Sequence, residues 1–163
     1  MTGFTPSDGG PGTDFGVWDV DGSGHGTHVA GTIGAIGNSI GVVGVFPDTS
    51  MFTYRIGKGL GDNGFGSYSG IQECVEDCVA NGASVISMSL GGSGSSSFME
   101  AALEAAYDDG VLVIAAAGNS GDERYSYPAS YDVVMSVASV TEGGPLSSFS
   151  TRSDQQEIAA PGR

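Results

Sequence analysis

The 163 residues carry five Lys and Arg against nineteen Asp and Glu, a formal charge of −14, with 39% apolar and 15% charged residues. That length and apolar share suit one domain with a hydrophobic core and exclude a disordered chain. The charge excludes nucleic acid and anionic membrane as natural partners, since both would repel it, and no apolar run is long enough to span a bilayer.

Residues 1–24 are rich in Gly, Asp and Pro and read as loop, and Met1 does not open a signal-peptide pattern. From Gly24 to about Ile36 the run GHGTHVAGTIGAI predicts a helix. Residues 37–47 alternate turn and apolar positions, Met51 to Ile56 reads as a strand, and residues 57–66 as a glycine-rich loop. Ser69 followed by Gln72 fits a capping box, opening a helix that ends near Asn81-Gly82. Val85 to Ser89 is the next strand, followed by the loop 90–96. Ser97 with Glu100 makes a second capping box, and its Ala-rich helix stops at Asp108-Asp109-Gly110. Val111 to Ala117 is a continuous apolar run of strand length, the pattern of a strand buried on both faces. Val133 to Val140 and Glu157 to Ala160 read as further strands. Strands alternating with helices give an α/β chain, a parallel sheet between helical layers.

The two cysteines, Cys74 and Cys78, share one face of a helix with Ile71, Val75 and Val79. A disulfide between successive turns would strain that helix, so buried thiols are expected; a partner cysteine in sequence outside these residues is the alternative.

Three segments carry chemistry. In Asp21-Gly-Ser-Gly-His25-Gly-Thr-His28, a histidine at the first turn of a helix is held rigidly with its ring toward the loop side. Histidine is the residue type suited to proton transfer at neutral pH. Zinc is disfavoured there, since His25 and His28 stand three apart without the Glu of a HExxH helix. In Ile114-Ala-Ala-Ala-Gly118-Asn119 an apolar strand ends in small residues and then an amide, which could donate to an oxyanion or simply turn the chain. In Ser87-Met-Ser89-Leu90-Gly91-Gly92 a strand exits through glycines, leaving backbone that can pair with an extended peptide. A dinucleotide fingerprint fails here, because Ser97 stands where a third glycine belongs and no Lys or Arg is near.

Taken together, HGTHVAGTIGA, GNSIGVVGV, VISMSLGG, VIAAAGN, YPASY, VMSVASV, SSFST and AAPG occur in an order that resembles the subtilisin-like serine proteases from about Asp21 onward. The resemblance implies a three-layer subtilisin-like α/β fold with a mostly parallel central sheet between helices, incomplete at both ends. Residues 1–163 would form part of a peptidase domain, with 1–24 as loop and 25–163 as the central part of the catalytic domain.

It also implies roles. His25 would be the general base, His28 a structural residue, and Asn119 the oxyanion donor, with His25 and Asn119 serving one peptide-binding cleft. Ser89, Leu90 and Gly91 would pair with one side of an extended substrate and Gly64, Phe65 and Gly66 with the other. Tyr68 would border the pocket four residues before the cleaved bond, and Ala116, Ala117 and Gly118 would wall the pocket just before it. The loop through Ile36, Asn38, Ile40 and Val42 would offer three carbonyls and one amide oxygen to a structural calcium ion. The Asp and N-terminal residue that complete that site in the family are not among these residues, so it is expected to be incomplete. Extracellular location and a peptide or protein substrate follow from the same resemblance; a possible propeptide is not among these residues.

The family's chain order is Asp, His, Ser. Its Asp-Thr/Ser-Gly strand end and its Gly-Thr-Ser-Met-Ala segment do not occur in these 163 residues. By itself the chain is therefore expected to be inactive and at best loosely folded, with apolar surface near strands 85–89 and 111–116 uncovered. A non-catalytic peptide-binding module is the alternative reading.

Overall fold

The computed structural model describes residues 2–4, 21, 24–47, 52–54 and 66–162. The chain divides into two compact units, residues 1–74 and 75–163.

In the first unit, β1 (Thr2–Phe4) pairs in parallel with β2 (Phe52–Tyr54), and α1 (His25–Gly34) lies between them in sequence. Parallel neighbours need a long connection, and α1 falls within it. β1 corrects the reading of residues 1–24 as loop: three residues are too few to show a period, and the partner stands fifty positions away. After α1 the chain folds back on the helix end. Gly44, Val45 and Phe46 donate their N–H groups to the carbonyls of Ala35, Thr32 and Ile33 at 2.8–2.9 Å. Carbonyls that a helix end leaves unpaired are thereby satisfied. A Cβ on Gly44 would stand 2.5 Å from the Ala35 nitrogen, so only glycine fits.

The second helix, α2 (Tyr68–Ala80), buries Ile71, Cys74 and Val75. Its start differs from the expected box. The hydroxyl of Ser67, not Ser69, accepts from an orphan helix N–H, that of Gly70, at 3.0 Å. It ends as expected, with Gly82 at φ 75° and the Ala83 N–H bonded to the Cys78 carbonyl. Cys74 is buried and Cys78 half-buried, and neither forms a disulfide.

The second unit holds a parallel sheet in the order β3 (Val85–Met88), β4 (Leu112–Ala116), β5 (Val134–Val140), β6 (Gln156–Pro161). Helix α3 (Ser97–Asp108) connects β3 to β4 and lies against β4 through Met99, Leu103 and Ala106, spaced to share one helix face. Its cap is Ser96, whose hydroxyl accepts from Met99 N–H, one residue ahead of the expected Ser97.

Strand pleating sends alternate residues to opposite faces. Ile86, Met88, Val113, Ala115, Val134, Ser136 and Ala138 are buried on one face. On the other face stand Val85, Leu112 and Ile158, exposed by 53%, 41% and 49%. β4 thus buries Val113 and Ala115 on one face, while on the other Leu112 and Ala116 are exposed and Ile114 is half-buried, which corrects the expectation of burial on both. The uncovered apolar surface at strands 85–89 and 111–116 is present as expected.

Candidate active site

Because β3 and β4 are adjacent and parallel, their carboxyl ends open on the same edge. Ser89, Leu90 and Gly91 leave β3 there, and Ala117, Gly118 and Asn119 leave β4. Ser89, Gly91, Ala116 and Asn119 are exposed, Leu90 and Gly118 half-buried and Ala117 buried. Among the described residues β3 is the outer strand of this sheet, so its exit segment lies at the edge of that sheet.

Between the two exits stands Ser126. A Cβ on Gly91 would meet its Oγ at 2.9 Å, and a Cβ on Gly118 would meet the same atom at 3.2 Å. Both glycines leave room for the Ser126 hydroxyl, and Gly118 is required by its φ of 106°. The segment bearing Ser126 is tied to the β3 exit by a two-bond bridge between Gly92 and Tyr127, 2.9 and 2.8 Å. The Tyr131 hydroxyl accepts from Ser96 N–H and donates to the Ser96 carbonyl, joining the same segment to the start of α3.

The turn after Asn119 is held by residues 149–152. Thr151 N–H donates to the Gly118 carbonyl, Gly121 N–H to Phe149 and Arg152 N–H to Asp122. Arg124 binds Asp122 through Nε at 2.8 Å and Nη2 at 2.6 Å. That guanidinium, with the Ser120 hydroxyl, holds the Asp122 carboxyl down at about 2. An open pocket of about 660 Å³ lies to one side, lined by Ser93, Ser95, Asp122, Glu123, Arg124, Tyr125 and Tyr127. It does not include Asn119, so it is a neighbour of the strand-end site and not the site itself.

In the first unit, His25 is the first residue of α1 and is exposed, as is His28. Gly24 precedes the helix with φ 75° and offers no side-chain cap. Asp21 supplies one from a distance: Oδ1 accepts from Gly24 N–H at 2.9 Å and Oδ2 from Thr27 N–H at 2.7 Å. A carboxylate at a helix N-terminus also meets the positive end of its dipole. Sequence reading gave Asp21 no such role; the signal for it is an acid four residues before the histidine in the DGSGHGT run.

Ile36, Asn38, Ile40 and Val42 are all exposed, and the Asn38 side-chain oxygen accepts from Ile40 N–H at 2.7 Å. Four neutral oxygens fall short of the six to eight that calcium takes, and among the described residues no group of three acidic, His or Cys side chains stands ready to hold a metal. The loop therefore does not complete a calcium shell. Gly66 is exposed and Tyr68 opens α2, half-buried. Gly64 and Phe65 lie outside the described residues.

The sequence matches the Subtilase family profile over residues 15–163. It is 44% identical to a thermostable alkaline protease of Halalkalibacterium halodurans over 87% of this chain and 38% of that protein. With subtilisin DY of Bacillus licheniformis it shares 42% over 89% of this chain and 53% of the relative. The fold is that of a psychrophilic subtilisin-like protease from the Antarctic psychrotroph Pseudoalteromonas sp. AS-11, with a TM-score of 0.76 and 48% identity over 83% of this chain and 31% of that one. The chain thus spans about half the length, or less, of the curated relatives it matches. A parallel α/β sheet with small-residue exits, a histidine opening a capped helix, and a match running through all of the second unit have one common explanation: the chain belongs to the subtilase family.

Proposed function

We propose that the chain supplies the general base and the oxyanion donor of a serine-type endopeptidase acting on extended peptide or protein substrates. His25 takes the proton from a serine hydroxyl as that oxygen attacks the scissile carbonyl, then returns it to the departing amine. The Asn119 amide donates to the oxygen that gains negative charge. Ser89–Gly91 pairs with one side of the substrate backbone, Gly64–Gly66 with the other. Tyr68 borders a more distant side-chain pocket, and Ala116–Gly118 walls the nearest one. The observation that supports this most directly is the pair of small-residue exits at the carboxyl edge of β3 and β4, with Asn119 exposed at that edge.

The attacking serine and its orienting aspartate have no counterpart in these 163 residues. The second reading is a non-catalytic peptide-binding module that uses the Ser89–Gly91 segment without cleavage. Family membership also supports an extracellular site of action and a calcium ion to which loop 36–42 contributes only some of the oxygens.

The test is a graft. Residues 15–163 replace the matching stretch of subtilisin DY, which then supplies the missing segments, and hydrolysis of a chromogenic peptide is followed. His25→Ala should abolish turnover above the background left by binding alone. Asn119→Ala should lower kcat by about 10²–10³, the range already measured for this donor in subtilisin and not one worked out from this structure. A graft equally active with and without His25 would end the reading.

A further inference from the structure

Asn119 is exposed, yet the peptide groups on both sides of it are bonded to one buried residue. Thr151 is 1% exposed. Its N–H donates to the Gly118 carbonyl at 3.0 Å, and its Oγ1 accepts from Ser120 N–H at 3.3 Å. The two hydroxyls of Thr151 and Ser120 are 2.9 Å apart, and Ser120 Oγ donates to Asp122 Oδ1 at 2.5 Å.

Only one proton order satisfies all of these contacts. An ionised Asp122 can only accept, so the Ser120 hydroxyl hydrogen points to it. Ser120 Oγ then accepts from Thr151 Oγ1–H, and Thr151 Oγ1 accepts from Ser120 N–H. The Thr151 hydroxyl thus has a fixed donor direction and a fixed acceptor direction. The hydroxyl takes up the room left by the missing side chain of Gly118, where a Cβ would stand 2.9 Å from that oxygen.

We propose that Thr151 is the positioning residue for Asn119: it clamps Gly118 through its backbone and Ser120 through its hydroxyl, and so fixes where the carboxamide points. The inference rests on the reading of Asn119 as oxyanion donor and adds the residue that aims it. Thr151 touches no substrate. It acts because a donor turned away by about 1 Å loses most of its value to the reaction.

The whole chain is used for the test, with N-acetyl-tetra-alanine bearing a free terminal carboxylate as a stand-in for cleaved product and its carboxamide twin as control. NMR follows the Asn119 side-chain amide pair, assigned by its loss in Asn119→Asp, and titration gives the affinity. Thr151→Val keeps the shape and removes the hydroxyl. It should move the Asn119 pair toward free-amide positions and weaken carboxylate binding by about tenfold, the scale of one charge-assisted hydrogen bond. Thr151→Ser should restore both.

Unchanged Asn119 resonances and affinity in Thr151→Val, with Asn119→Ala still weakening the carboxylate peptide, would overturn the inference alone. If Asn119→Ala has no effect either, the donor reading falls and takes the inference with it. A free-amide Asn119 pair in the parent chain also overturns it. Should Thr151→Val lose its fold, Ser120→Ala decides: it removes the relay hydroxyl at an exposed position, and no shift of the Asn119 pair would again sink the proposal.

Discussion

The two faces of the sheet in residues 75–163 differ enough to be weighed by one chemical change made twice. Val85 and Val113 sit on neighbouring parallel strands, one position out of register, so their side chains point to opposite faces. Val113 is 1% exposed and Val85 is 53% exposed. Val→Thr keeps the β-branched shape and the strand preference while replacing a methyl by a hydroxyl. At Val113 that hydroxyl enters an apolar layer facing α3, at a cost of about 1–3 kcal/mol. At Val85 water still reaches the new hydroxyl, and the change should stay within about 0.5 kcal/mol.

With a urea slope of about 1.5 kcal/mol/M, a loss of 2 kcal/mol lowers the unfolding midpoint by about 1.3 M. Val113→Thr should show a shift of that size and Val85→Thr less than about 0.3 M. Binding of a hydrophobic dye should fall in Val85→Thr and Ile158→Thr, because both side chains belong to the open face. Equal midpoint losses at Val85 and Val113 would refute the reasoning, since they would mean that the Val85 face is covered in solution.

Three further outcomes follow from local geometry. Ser96→Ala should lower stability by about 1 kcal/mol through loss of the α3 cap, while Ser97→Ala, inside the helix where Ala is the better helix former, should leave it unchanged or raise it by at most about 0.5 kcal/mol, both read by urea unfolding. Gly44→Ala should cost about 1–3 kcal/mol in thermal unfolding, because the new methyl meets backbone atoms at 2.5–2.7 Å that have little room to move. The folded-state pKa of Asp122 lies below its ordinary 3.8, so its contribution is present above pH 3.8 and is lost as the pH falls through about 2. Carbon-detected NMR should find that carboxylate titrating near pH 2, and Arg124→Gln should return it toward 3.8.

Most elements were legible because their signals are local. The α2 stop at Asn81-Gly82 and the α3 stop at Gly110 are positive-φ glycines, and each stands where the sequence reading placed the end of its helix. Helix starts were harder. A capping box favours the serine with an acid or amide three residues on, which selected Ser69 and Ser97. The helices instead use Ser67 and Ser96, whose third following residues are Gly70 and Met99, because a cap answers to an orphan N–H and not to a side chain. The run Val111–Ala117 misled differently: an apolar strand shows that both faces tolerate burial, not that both are covered. Ser126 and Thr151 could not be placed at all, since their value lies in contacts made across 35, 8 and 31 positions with Gly91, Gly118 and Ser120.

The two residues given chemical roles share one manner of construction. A group that must reach substrate has to leave its side chain exposed, so it cannot be fixed by packing that side chain. His25 is exposed at the start of α1, and Asp21 bonds the N–H of the residue before it and of the second residue after it. Asn119 is exposed at the end of β4, and Thr151 bonds the carbonyl before it and the N–H after it. In each case a residue that takes no part in the reaction pins the flanking backbone, Asp21 through its carboxylate and Thr151 through its N–H and its hydroxyl, and leaves the working group open. Loss of such a pin should therefore change how well the group is aimed before it changes whether the protein folds, and that ordering distinguishes an aiming residue from a merely structural one.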